Sequence, residues 1–120
     1  MTVDNELAVL SVETAMQFVG DPDLFVEIAG MLLEELPEQM GLLQTHWDKG
    51  DLTNLYKTAH RLKGNFGVVA AQQAHAAAKT LESVAKDGDM AASATAVNEL
   101  QAAVAVVVPV LEQHVADAGA

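Results

Sequence analysis

One histidine in this chain has neighbours that suit covalent chemistry. His60 is followed by a lysine at position 63 and by glycines at positions 64 and 67. On a helix these positions share a face, and a side chain at position 64 would lean back over His60. Glycine inside a helix costs about 1 kcal/mol relative to alanine, so Gly64 indicates that another surface approaches His60 closely. A neutral imidazole with a free nitrogen can attack phosphorus, and phosphoryl transfer needs mainly positioning and positive charge. Lys63 would supply that charge.

The elements that must position His60 follow from the hydrophobic spacing and from the turn residues. Apolar residues recur at intervals of three and four along most of the chain, which predicts helices. Glycine and aspartate residues mark their ends. We expect a short helix over residues 11–19, a second from Pro22 to about Trp47, a third after Asp51 that carries His60, a fourth from about Ala71 and a last from Met90.

Some helix boundaries cannot be assigned from the sequence, because two helices contain a proline and the third helix has no clear end. Pro37 should kink the second helix or split it near Leu33, and Pro109 should kink the last helix or end it early. No ordinary turn sequence follows Gly67, so the end of the third helix is unclear. We expect frayed tails at residues 1–8 and 117–120.

Length and composition indicate one small domain. The chain has 120 residues, of which 51% are apolar, and we expect a single domain over residues 1–120 with a core at roughly 10–116. The absence of cysteine excludes disulfides and thiolate sites. The longest apolar run, Ala102 to Leu111, is shorter than the roughly 20 residues of a membrane helix. The acidic first residues do not resemble a signal peptide. We therefore expect a cytoplasmic protein without membrane insertion.

Charge is distributed unevenly along the chain. The net charge is −11, which argues against nucleic acid as a partner. All six basic residues lie between positions 49 and 86, where only two acids occur, so this window carries a net charge of +4. The window includes His60, and its charge indicates an acidic partner. The alternative is that these charges are ordinary solvated surface.

The sequence His60-Arg61-Leu62-Lys63-Gly64 resembles the H-x-x-K-G signature of histidine phosphotransfer (HPt) domains. The resemblance covers roughly residues 10–115, including the turns at Gly20-Asp21-Pro22 and Gly88-Asp89. It implies an all-α fold, an antiparallel four-helix bundle, to which the helix over residues 11–19 adds a short extra N-terminal helix. It also implies a phosphocarrier that accepts a phosphoryl group on His60 from a receiver-domain aspartyl phosphate and passes it to another receiver.

The resemblance also assigns roles to individual residues. Lys63 matches the lysine that contacts the phosphoryl group, and Gly64 matches the glycine that opens access to the histidine. Glu82 matches a residue that would accept the Nδ1 proton of His60 and leave Nε2 as the nucleophile. We expect partner binding at the residues around this site: Lys57, Arg61, Gly67, Lys79 and Lys86.

Two positions depart from the family pattern. Ala70 stands where the family usually has a glycine, and Phe66 stands where it usually has a small residue. These departures concern the end of the third helix and the rim of the docking surface, and they leave His60 itself unaffected.

The expected partners are response-regulator receiver domains, a hybrid sensor histidine kinase, or both, and the expected state is a monomer. The chain lacks the nucleotide-binding loop and metal-binding carboxylates that a kinase requires, so we expect no autonomous kinase activity and no cofactor, with Mg²⁺ on the receiver only. The alternative function is an interaction module with the same helical fold that binds a receiver or sensor kinase without being phosphorylated.

The other three histidines have plainer interpretations. His75 lies on a polar stripe of the fourth helix and is expected to be solvated, while His46 and His114 are expected at the surface. A metal site formed by His60, His75 and His46 is disfavoured because no carboxylate accompanies them at Glu-x-x-His spacing.

Overall fold

The computed structural model describes residues 7–118 and consists of helices connected by short turns. Five helices and no strand occur in this range: α1 Val12–Val19, α2 Pro22–Asp48, α3 Leu52–Val68, α4 Gln72–Lys86 and α5 Met90–Ala118. The all-α prediction is confirmed. Residues 1–6 and 119–120, which hold most of the expected frayed tails, lie outside the described residues.

The described parts of the two tails are ordered. Near the N-terminus, the Gln72 side chain accepts a hydrogen bond from the backbone N–H of Ala8, and the Gln73 side chain donates one to the carbonyl of Leu7, both at 2.9 Å. At the C-terminus, Asp117 and Ala118 are still part of α5. The fraying predicted for these residues is therefore wrong, because α4 holds the first segment and α5 continues further than expected.

Side-chain caps explain why four helices begin where they do, and Asp89 before α5 is one of the capping residues. Ser11 precedes α1, Asp21 precedes α2 and Asp51 precedes α3, and each side chain accepts a hydrogen bond from a backbone N–H of the first turn. These bonds satisfy donors that have no partner inside the helix. Hydrogen bonds from the backbone and then the side chain of Asn54 lower the pKa of Asp51 below its ordinary value.

Neither proline ends its helix. Helix α2 runs through Pro37 as one element, and α5 runs through Pro109 as far as Ala118. A proline inside a helix removes one backbone hydrogen bond, but both helices bury apolar side chains before and after the proline. The buried apolar residues nearest to the prolines are Leu36, Leu43, Val107 and Leu111. The expected split of α2 and early end of α5 do not occur.

The site depends on the packing of α3 against α4. Helix α3 contacts α2 and α4, α5 also contacts α2 and α4, and α1 lies against α2 and α3. The buried face of α4 is made largely of alanine, at positions 74, 78 and 85. Small side chains let two helix backbones approach closely, and this brings polar side chains at the edge of the contact within reach of each other.

The connection from α3 to α4 is tight and contains a left-handed residue. Ala70 has a φ of 56°, a conformation that favours glycine. Its carbonyl accepts a hydrogen bond of 3.0 Å from the backbone N–H of Ser11. Phe66 is fully buried at the end of α3. The two departures from the family pattern thus lie at the connection that sets the path from α3 into α4.

Helix α5 is long and apolar enough to cross a membrane by length and composition, with a mean hydropathy of 1.6 over 18 residues. This 18-residue window is longer than the uninterrupted apolar run from Ala102 to Leu111 because it also includes isolated polar residues. One third of that window is buried inside the protein. Its buried side chains, such as Leu100 and Val107, pack against the other helices.

Candidate functional site

His60 projects from the middle of α3 and has one ring nitrogen engaged. Nδ1 of His60 lies 2.7 Å from Oε2 of Glu82 on α4, while 66% of the His60 side chain is exposed. An ionised carboxylate can only accept a hydrogen bond, so the proton between the two groups belongs to Nδ1. In the neutral ring, Nε2 then carries a lone pair and no proton. The geometry therefore presents Nε2 of His60 as the available nucleophile.

Glu82 connects His60 with Lys63. Nζ of Lys63 lies 2.7 Å from Oε1 of Glu82, so each carboxylate oxygen has its own partner. The hydrogen bond from Lys63 is the main cause that lowers the pKa of Glu82, and the bond from His60 lowers it further, against the opposing effect of burial. Glu82 is therefore ionised at neutral pH. One negative charge orients the imidazole and holds the lysine beside it.

Gly64 leaves open space next to His60. A Cβ atom added at position 64 would meet no atom within 4 Å outside its own turn of α3. Packing in the free protein thus gives no reason for a glycine here. The predicted role of Gly64 in access is compatible with this geometry.

An apolar groove begins at Gly64. It has a volume of about 610 Å³ and runs between α1, the start of α2 and the second half of α3. Phe18, at one wall, is 74% exposed, and Val68 and Leu24 are also exposed. The lining residues are Phe18, Val19, Leu24, Ile28, Gly64, Gly67 and Val68. A groove lined mainly by apolar side chains is a common form of binding site. We call it the apolar groove.

The basic residues predicted to bind a partner lie on two sides of His60. Lys57 and Arg61 are exposed on α3 and line a polar groove between α2 and α3 that also contains His46. Lys79 and Lys86 are exposed on α4. The four side chains carry positive charge along α3 and α4, whereas Gly67 lies in the apolar groove.

The remaining histidines are less exposed than expected. His46, His75 and His114 are all half-buried, and the ring of His114 packs edge-on against Phe25 with ring centroids 5.3 Å apart. Among residues 7–118 no group of three or more histidines and acids could hold a metal ion.

Sequence reasoning missed a contact of His75 with α3. Nδ1 of His75 lies 2.9 Å from the backbone carbonyl oxygen of Lys63. A signal was present in the spacing, because His75 precedes Glu82 by seven residues, or two helical turns. A stripe that places Glu82 against α3 places His75 against α3 as well, so the expectation that His75 is solvated is wrong.

A comparison with protein families agrees with this site. The family model of the Hpt domain matches residues 27–108, which is the larger part of the chain and includes His60, Lys63, Gly64 and Glu82. The match begins inside α2, so α1 lies outside it. No curated protein and no solved structure was found to match. The resemblance that the H-x-x-K-G sequence indicates is confirmed, and this chain belongs to the Hpt domain family.

Proposed function

We propose that this Hpt domain is a histidine phosphocarrier that accepts a phosphoryl group on His60 from the aspartyl phosphate of one receiver domain and passes it to another. Hpt domains act in histidine phosphotransfer in phosphorelays, and the family match supports that general role here. The observation that carries the assignment to His60 is the 2.7 Å contact between its Nδ1 and Glu82 beside an exposed ring.

The transfer step needs no proton movement at His60. The Nε2 lone pair attacks phosphorus, a nitrogen–phosphorus bond forms, and the phosphorus–oxygen bond to the receiver aspartate breaks with its electron pair left on that carboxylate. The imidazole retains its Nδ1 proton and becomes positively charged. Glu82 accepts the hydrogen bond from that proton, so its negative charge stabilises the cationic ring. The reverse sequence returns the phosphoryl group to a second receiver.

Lys63 would change partner during this step. In the structure its ammonium group is bound to Glu82, and 26% of the side chain is exposed. Attachment of a phosphoryl group to Nε2 adds negative charge nearby, and Lys63 can turn toward it. Glu82 then keeps the cationic ring as its partner. The one carboxylate thus binds both the lysine and the imidazole in the free state, and keeps the imidazolium as its partner in the phosphorylated state.

The apolar groove and the surrounding cations suit a receiver domain. Gly64 belongs both to the groove and to the face of α3 that carries His60. A partner that buries the apolar groove therefore also approaches the histidine. Receiver domains present their phosphorylated aspartate in an acidic, metal-binding pocket, and Lys57 and Arg61 offer the opposite charge. We place Mg²⁺ on the receiver and assign no cofactor to this chain.

The same proposal includes the arrangement and state of the domain. Contacts of α2 with α3, α3 with α4, α4 with α5 and α5 with α2 support an antiparallel four-helix bundle, with α1 as the short extra helix. We propose a single domain over residues 1–120 that acts as a cytoplasmic monomer. The burial of one face of α5 in the core supports the absence of membrane insertion.

Incubation with a phosphorylated receiver domain tests this function. We expect the wild-type protein to gain one phosphoryl group by intact mass, to lose it in acid and to transfer it to a second receiver. His60→Gln should gain none, whereas His75→Gln should still be phosphorylated. Binding of the receiver without any phosphoryl gain would instead support the non-phosphorylated interaction module. An acid-labile phosphoryl group on His60→Gln would overturn the assignment to this residue.

A further inference from the structure

A second histidine connects α4 to the backbone of α3. His75 lies in the first turn of α4, is half-buried, and has its Nδ1 2.9 Å from the carbonyl oxygen of Lys63. A carbonyl oxygen has no proton, so Nδ1 of His75 carries the proton and donates it. Lys63 is therefore bound to α4 twice, through its carbonyl by His75 and through its ammonium group by Glu82.

Gly67 provides the space in which the His75 ring lies. A Cβ atom added at position 67 would stand 3.3 Å from Nδ1 and 3.5 Å from Cε1 of His75. The first distance is closer than an ordinary van der Waals contact, so even alanine would push against the ring. Gly64 differs from Gly67 in this respect, since a Cβ atom there meets nothing. The two glycines on this face of α3 are therefore explained differently: Gly67 makes room for the His75 ring, whereas Gly64 has open space beside it.

The two contacts between α3 and α4 are related by their spacing. Gly67 lies seven residues after His60 on α3, and His75 lies seven residues before Glu82 on α4. Seven residues are two helical turns, or about 10 Å of rise. The pair Gly67–His75 and the pair His60–Glu82 therefore fit one antiparallel register of the two helices. A shift of α4 along α3 would separate both pairs together.

We propose that His75, seated against Gly67, is a positioning residue that fixes the register of α4 on α3 and thereby holds Glu82 on Nδ1 of His60. Ala71, the residue before α4, provides no side-chain cap, so the bond from His75 is one of the few side-chain contacts that fix the first turn of this helix. The expected effect of His75 on the rate of phosphotransfer rests on the proposed function. The role itself concerns the ring orientation and tautomer of His60 in the free protein.

Three variants separate a positioning role from a purely structural one. His75→Leu keeps an apolar body of similar size and removes the donor. His75→Asn keeps an N–H donor close to the place of Nδ1 and is the matched control. Gly67→Ala leaves His75 in place and displaces its ring. Circular dichroism and thermal melting show whether each variant remains folded.

The direct measurement is nitrogen NMR of the His60 ring in the unphosphorylated protein. We expect the Nδ1–H tautomer in the wild type and in His75→Asn. In His75→Leu and Gly67→Ala we expect a larger population of the Nε2–H tautomer. This comparison requires no phosphoryl transfer, so it stands even if the wild type fails to accept a phosphoryl group and the proposed function is wrong.

The second measurement is the rate at which a phosphorylated receiver modifies His60. We expect a fall of about tenfold in His75→Leu, the lower end of the effect of residues that orient metal-binding histidine rings, and recovery in His75→Asn. Unchanged tautomers and rates in folded His75→Leu and Gly67→Ala would overturn the proposal. Equal losses in His75→Leu and His75→Asn would also contradict it, because the hydrogen bond would then not matter.

Discussion

At the scale of single residues, the site consists of one carboxylate that accepts hydrogen bonds from an imidazole and from an ammonium group. Glu82 binds Nδ1 of His60 with one oxygen and Nζ of Lys63 with the other. The remaining ring nitrogen of His60 faces outward without a proton. This arrangement needs only three side chains, and it leaves activation of the phosphoryl group to the partner.

Replacement of Glu82 tests its role in orientation. Glu82→Ala should slow phosphorylation of His60 without abolishing it, because in the proposed reaction Glu82 fixes the tautomer while His60 is the nucleophile. Transfer from a phosphorylated receiver is the measurement, and Glu99→Ala, on the exposed surface of α5, is the control. A rate equal to that of the wild type, or an Nε2–H tautomer of His60 in the wild-type protein, would contradict this role.

The same carboxylate should make stability depend on pH. The pKa of Glu82 is lower in the folded protein than its ordinary value of 4.5, chiefly because of the bond from Lys63. A lowered folded-state pKa stabilises the protein above the unfolded pKa, and this contribution is lost as pH falls through the folded pKa. We expect the difference in unfolding free energy between wild type and Glu82→Gln to shrink as the pH falls below about 4.5. Urea unfolding at several pH values measures it, and a difference that grows in acid would have the wrong sign.

Position 64 tests access to the histidine. Gly64→Leu should fold, because the structure has open space there, and should slow transfer by tenfold or more, on the order of the loss caused by misplacing reacting groups. Gly64→Ala adds one methyl group to the same open space and should lose much less. The comparison uses the same phosphorylated receiver with both variants. Equal rates in Gly64→Leu and wild type would show that this glycine does not control access.

At the scale of elements, the predictable features are those that local chemistry determines. The start of α3 followed from Asp51, and the buried stripe of α3 followed from its spacing, since Leu55, Ala59 and Leu62 are all fully buried. These residues determine where the helix begins and which face it buries. His60, next to that stripe, is consequently held at the edge of the core and remains exposed.

The features that could not be predicted depend on contacts between elements. The backbone hydrogen bond that Pro37 removes is a local effect and can be predicted from the sequence. The burial of α2 that offsets this loss depends on its packing against α3 and α5. The seven-residue spacing from Glu82 indicates that His75 faces α3, but its specific contact with the Lys63 carbonyl depends on the antiparallel register of the two helices. Periodicity along α4 alone does not give this register, because it requires Gly67 and His75 to be considered as a pair.

The connection between α3 and α4 offers a test of backbone strain. Ala70 has a φ of 56° and Ala71 has a φ of −80°, and both side chains are buried. Glycine removes a methyl group and adds chain entropy at either position, but only at position 70 does it also relieve left-handed strain. Ala70→Gly should therefore be more stable than Ala71→Gly by about 1–2 kcal/mol. Urea unfolding of both variants measures this difference, and equal stabilities would mean that Ala70 is unstrained.

At the scale of the whole molecule, charge and apolar surface are arranged around the same histidine. All six lysine and arginine residues belong to the window from position 49 to 86, and the charged residues in the remainder of the chain are all aspartate or glutamate. The structure places this window largely in α3 and α4, next to the apolar groove. Long-range attraction would therefore turn α3 and α4 toward an acidic partner, and the apolar groove would supply the short-range contact.

The rates of association with and dissociation from a receiver should separate the contribution of the charges from that of the apolar groove. Exposed charges are screened beyond a Debye length of about 8 Å in physiological salt, and electrostatic complementarity acts mainly on the association rate. We expect the association rate to fall steeply with added salt, and the double variant Lys57→Glu, Arg61→Glu to reproduce that fall at low salt. Phe18→Ala, in the apolar groove, should instead raise the dissociation rate.

A charge change away from His60 controls for net charge. Arg61→Glu and Lys49→Glu alter the net charge equally, but Lys49 precedes α3, and about 12 Å of helix separates Leu52 from His60 at 1.5 Å per residue. Arg61→Glu should therefore slow association more than Lys49→Glu does, with circular dichroism showing that both remain helical. Equal effects would mean that only the total charge matters. An association rate indifferent to salt and to both substitutions would mean that the basic window is ordinary solvated surface and that docking depends on the apolar groove alone.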